Sequence, residues 1–138
     1  MTPSGSAPLT KTIEATIPAA GAAVAQDQAI GEAPFAGTVT GVKIVPEAAL
    51  VGHAANFRTF RVVNKGQAGA GATVIASFAT DTPGTDDLAA FDERVIPLSG
   101  VAGATTVAAG DVLAVDETVA GTGVAQAGYK VIVEITRD

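Results

Sequence analysis

The sequence predicts an all-β chain: a single-domain, jelly-roll-like β-sandwich with an extended N-terminal arm. Three observations carry that expectation. The segment YKVIVEIT (129–136) alternates, placing Tyr129, Val131, Val133 and Ile135 on one side and Lys130, Glu134 and Thr136 on the other. Short apolar runs recur along the chain, separated by clusters rich in Gly, Pro, Asp and Ser. The 48% hydrophobic content is largely Ala and Val, with five Phe, one Tyr and no Trp, and such small side chains suit packed sheets better than a ring-lined pocket.

Residues 1–10, MTPSGSAPLT, read as an extended arm, because Pro3 and Pro8 interrupt regular hydrogen bonding. KTIEATI (11–17) alternates, with Ile13, Ala15 and Ile17 on one face, and Pro18 ends it. Residues 1–17 are therefore arm and first strand, and 18–138 the sandwich domain. Further strands are expected at GTVTGVKIV (37–45), FRTFRVV (57–63), ATVIASFAT (72–80), RVIPLSG (94–100), TTVAA (105–109), DVLAVDETV (111–119) and the segment from Tyr129. The clusters KGQAGAG, DTPGTDD, SGVAGA, AAGD and AGTGVAQAG supply the turns. Helix is confined to two short candidates, PEAALVG (46–52) and DDLAAFDE (86–93).

Composition excludes several functions. At 138 residues the chain can bury a core without staples. A net charge of −6 opposes nucleic-acid binding, which draws affinity from Lys and Arg on phosphates. The absence of cysteine removes disulfides, thiolate chemistry and cysteine-based zinc sites. The first residues carry no apolar signal-peptide core, and no run reaches the ~18 apolar residues of a membrane span, so a product made in the cytoplasm is expected.

The glycine cluster Gly66-Gln67-Ala68-Gly69-Ala70-Gly71 invites a phosphate-cradle reading. GxxxxGK[ST] is missing, Val74 stands where a dinucleotide fingerprint needs its last glycine, and the following ATVIASF opens a strand rather than a helix. A turn between two strands is expected instead. His53, the one histidine, has no partners for a zinc site or a GxSxG-type triad. The acidic loop with Asp81, Asp86, Asp87, Asp92 and Glu93 lacks EF-hand spacing and reads as a solvated loop. Asp116, Glu117 and Glu134 fall on strands, where a glycosidase-like pair is conceivable only if a cleft gathers them. Arg58 and Arg61 sit on opposite faces of one strand, and an arginine there suits either an inter-subunit contact or a solvent-facing position beside Phe60 and Val62.

GTVTGVKIVPEAALVGHAANFRTFRVVNKGQAGAGATVIASFAT (37–80), AAFDERVIPLSG (89–100), AAGDVLAV (108–115) and YKVIVEI (129–135) together resemble the small head-decoration (cement) proteins of tailed bacteriophages. The likeness lies in the order of PEAALVG, NFRT leading into VVNKG, FDE before a strand, and GDVL. It implies a non-enzymatic virion protein on the outer capsid surface, a homotrimer that ties major capsid protein subunits together, with no cofactor, metal, nucleic acid or membrane. The arm lies outside the resemblance. Physical reasoning alone makes it the candidate capsid contact, through Leu9, Lys11, Ile13 and Ile17, by adding a strand to an exposed sheet edge. Arg58 and Arg61 are the inter-subunit candidates. The rival readings are a receptor- or carbohydrate-binding sandwich of a tail fibre or adhesin, and an enzyme working with acidic residues.

Overall fold

Strand alternation and turn-forming glycines together build two antiparallel sheets packed face to face, a β-sandwich, in a computed structural model that describes residues 9–138. The strands are β1 (Thr10–Ile17), β2 (Gln26–Glu32), β3 (Gly37–Pro46), β4 (Arg58–Gly66), β5 (Thr73–Ala79), β6 (Arg94–Val95), β7 (Thr106–Val107), β8 (Val112–Val119) and β9 (Tyr129–Arg137). One sheet has the order β1-β9-β3-β6, with β7 also on β3, and the other has the order β2-β8-β4-β5. Residues 1–8, the greater part of the expected arm, lie outside the described residues.

The alternation in β9 lands as expected. Tyr129, Val131, Val133 and Ile135 are buried, and Lys130 and Glu134 are exposed. They meet Phe60, Val62, Ile75, Leu113 and Val115 from the opposite sheet. Phe60 and Tyr129 pack edge to face at 5.4 Å between ring centroids, the geometry that aromatic quadrupoles favour.

The glycine cluster is a turn. Gly66 and Gly69 hold positive φ of 70° and 80°, and the Gly71 N–H donates to the Lys65 carbonyl at 2.9 Å, so β4 and β5 connect as an antiparallel pair.

Three expectations are corrected. Neither 46–52 nor 86–93 is helical. Pro46 instead finishes β3 opposite Tyr129, and a bridge between Leu50 and Leu88 ties the two segments together. Residues 94–100 do not form one strand. Arg94–Val95 pairs with β3, but Pro97 has no N–H to continue, and the chain crosses to the other sheet, where Ser99 N–H donates to Ile75 O at 2.7 Å. β2 was not expected at all. Its sequence QDQAIGE is mostly polar, and main-chain pairing to β8 rather than an apolar stripe holds it.

Candidate functional site

The inward face of β4 carries Arg58, Phe60 and Val62, so strand parity drives a guanidinium into the sandwich. Arg58 is 0% exposed, and its donors are all engaged. Nε donates to Val124 O at 2.7 Å, Nη1 to Val24 O at 2.7 Å, and Nη2 to Gly21 O. Nη1 also pairs with Glu117 Oε1 at 3.2 Å, and the Tyr129 hydroxyl donates to Glu117 Oε2 at 2.6 Å. Burial pushes the Glu117 carboxyl above its usual range, and the hydrogen bond from Tyr129 and the charge of Arg58 offset only part of that. Burial also raises the Tyr129 phenol, with the Glu117 charge adding to it. The set clamps the 21–24 and 124 loop segments onto three core strands. Arg58 is therefore withdrawn as an inter-subunit contact and also as a solvent-facing residue.

The other acids do not converge with Glu117. Asp116, one residue before, points to the outer face and pairs with Arg61 across the strands at 2.6 Å. Glu134 lies on the outside of the opposite sheet, accepting from Thr40 Oγ1 at 2.8 Å. The three carboxylates of the glycosidase-like reading thus face three different environments. Arg61 keeps about a third of its side chain exposed (31%) on the outer face, which leaves it available for a contact.

The acidic loop is organised by its own main chain. Asp87 Oδ1 accepts from Gly52 N at 2.7 Å and Gly84 N at 3.1 Å, and these bonds hold its carboxyl below the usual range. Asp86 accepts from Thr82 N and pairs with Arg94, and Glu93 pairs with Lys43. Arg94 in turn lies 4.4 Å above the Phe78 ring. His53 Nδ1 accepts from the N–H groups of Ala55 and Asn56, closing its loop. Among the described residues no group of His, Asp and Glu is arranged to hold a metal ion.

The arm candidates divide. Leu9 is 38% exposed and Lys11 is exposed, whereas Ile13 is half-buried beneath Gly31 of β2. Ile17 is fully buried in the core, so it is withdrawn as a capsid contact. β1 as a whole is built into its sheet, in unbroken register with β9 from Thr10↔Thr136 to Ile17↔Tyr129.

Two surface features escaped the sequence reading. A groove of about 320 Å³ crosses the outer face of the β1-β9-β3-β6 sheet, lined by Thr12, Gly41, Lys43, Glu93, Val95, Ile132 and Glu134. Its rim carries a hydroxyl chain, with Thr136 Oγ1 3.1 Å from both Thr10 Oγ1 and Thr40 Oγ1. The second feature is Phe91, 76% exposed in a left-handed backbone (φ 58°) that bulky side chains avoid. Its N–H is tied to Pro46 O at 2.7 Å, and Val51 and Val95 are also exposed, at 65% and 64%. Compared with known protein families, curated proteins and solved structures, the chain matches none of them.

Proposed function

We propose that this chain is a structural contact protein that decorates the outside of a bacteriophage capsid and bridges major capsid protein subunits. The single observation that carries the contact role is Phe91. Holding a phenylalanine at positive φ costs about 1–2 kcal/mol, and a side chain left 76% exposed offsets little of that by burial. A large ring displayed on a strained, tethered loop gains its value only when another surface covers it. The resemblance of the segment order to phage cement proteins is the ground for proposing a capsid as that surface, and a homotrimer is part of the same proposal.

Mechanically, a decorating protein stabilises a shell because it binds the assembled lattice better than free subunits. Several weak contacts per particle then act together with high avidity. Leu9, Lys11 and Arg61, all accessible, join Phe91 as the residues proposed to meet capsid or neighbouring copies.

Co-sedimentation with expanded phage shells stripped of decoration tests the proposal. The protein should pellet with shells, raise their melting temperature and ignore unassembled capsid protein. Shells that neither retain nor respond to it would dismiss the role. The groove favours a second reading, a glycan-binding sandwich. Its volume lies at the small end for ligand sites, and it offers hydroxyl, carboxylate and ammonium groups beside Ile132 and Val95. A glycan array with the Glu134→Gln variant as control separates the two.

A further inference from the structure

A strand at the edge of a sheet exposes unpaired N–H and C=O groups, and folded proteins usually shorten, bulge or cover such edges. Three edges of this sandwich are treated that way. β6 and β7 are two residues each. β5 is covered by the crossing segment, with Ser77 N donating to Pro97 O at 3.2 Å and a bridge between Ala76 and Leu98. β2 carries a bulge between Ala29 and Gly31. β1 is different. It is straight, free of proline and bulges, and rich in β-forming Thr and Ile.

Parity identifies which of its groups are open. Arg137 N donates to Leu9 O at 2.8 Å, so the odd residues of β1 exchange main-chain bonds with β9 and the even residues point away from it. Consistently, Thr16 O faces outward and is taken by Gln28 Nε2 at 3.3 Å. Gln26 Nε2 likewise takes Pro18 O. Above that capped end, Thr10, Thr12 and Glu14 are exposed, and no strand among the described residues pairs with that side of β1.

We infer that β1 of a second copy of this chain occupies this edge, antiparallel and in one register, joining two sheets into one across a twofold axis at Thr12. In that register Thr12 faces Thr12 of the second copy, and Thr10 faces Glu14. The open groups of each copy then meet complementary groups of the other, giving about six main-chain bonds at two per hydrogen-bonded pair. Side chains agree with it. Hydroxyl faces hydroxyl at Thr12, Thr10 can donate to the Glu14 carboxylate, and no like charges are opposed. On the inner side, exposed Leu9 meets Ala15, and the Lys11 stem covers half-buried Ile13.

Neighbouring registers fail on chemistry. Shifting one way places Pro8, which has no N–H, opposite an open residue. Shifting the other way requires the Thr16 carbonyl already held by Gln28, and beyond that opposes two Glu14 carboxylates. The edge thus complements itself in one alignment. This contact is independent of capsid binding and of any threefold clustering, because it uses only the β1 edge and closes between two copies through its own twofold axis.

Light scattering on the full chain and on Thr12→Pro tests it. The Thr12 N–H points away from β9, so proline there removes no bond within the chain and is a substitution edge strands accept. At high concentration the wild-type mass should be at least twice that of Thr12→Pro, counted in units of the 13.5 kDa chain, and Thr12→Val should match the wild type. Equal masses for wild type and a folded Thr12→Pro would overturn the inference. Should Thr12→Pro not fold, hydrogen exchange on the wild type decides. Amides of Thr10, Thr12 and Glu14 should slow severalfold as protein concentration rises, and rates independent of concentration would overturn it equally.

Discussion

Replacing Arg58 by methionine tests what holds the two sheets and their end loops together. The methionine fills much of the aliphatic volume but leaves the Gly21, Val24 and Val124 carbonyls without their donor, and Glu117 buried beside Tyr129 without its cation. Removing one member of a buried ion pair typically costs about 3–5 kcal/mol. With an unfolding entropy near 2.1 cal/mol/K per residue, 138 residues give roughly 290 cal/mol/K, so the melting temperature should fall by about 10–17 °C. Calorimetry reads the shift. Hydrogen exchange should show the 21–24 and 120–126 loops opening well before the strands do.

A double-mutant cycle isolates the pair. Glu117→Gln keeps an acceptor for Tyr129 while removing the charge, so adding it to Arg58→Met should recover about 1–3 kcal/mol of the loss. A single variant costing less than about 1 kcal/mol, or a double variant whose loss equals the sum of the singles, would refute the clamp.

Three further outcomes are expected. Phe91→Gly should raise stability by about 1 kcal/mol in denaturant titration, because glycine accepts φ 58°, while weakening shell binding; loss of stability would mean that the ring supports the fold. The Asn64 amide and the Ala108 N–H hold the Asp111 carboxyl below its usual range, as main-chain donors do for Asp87. A depressed folded pKa gives stability that is present above about pH 4 and lost as pH falls through the folded value, so Asp111→Asn should flatten the acid limb of a melting-temperature profile. Glu117, raised by burial, acts with the opposite sign: its contribution is full below the unfolded pKa and lost as pH rises through the folded one. Deleting residues 1–17 removes β1 and uncovers the core at Ile17, which circular dichroism should register as a large loss.

Fold and site were legible to different depths, and strand parity explains both. β9 and β1 were readable because one face of each turns toward the core, fully buried in β9 and increasingly covered from Ile13 to Ile17 in β1, while the other meets solvent, the condition under which a period of two appears in sequence. β2 lacks that condition. It lies at a sheet edge, its side chains cap carbonyls of β1 and Pro18, and only Ile30 is buried, so its residues carry hydrogen-bonding information instead of hydropathy. The clamp was within reach by the same rule. Arg58 shares parity with Phe60 and Val62, and Glu117 with Leu113 and Val115, so each strand announced an inward charge that only the other could neutralise. Charged residues ordinarily face water, a rule that fails when two opposite charges are buried diagonally from one another on neighbouring strands, as Arg58 and Glu117 are. The exposed ring of Phe91 and the open side of β1 were illegible for a different reason. Both depend on main-chain geometry, a positive φ in one and the direction of alternate N–H groups in the other, and composition carries neither. These are also the two features proposed to meet other molecules, so the proposed contacts rest mainly on the backbone, whereas the clamp that holds the fold rests mainly on side chains.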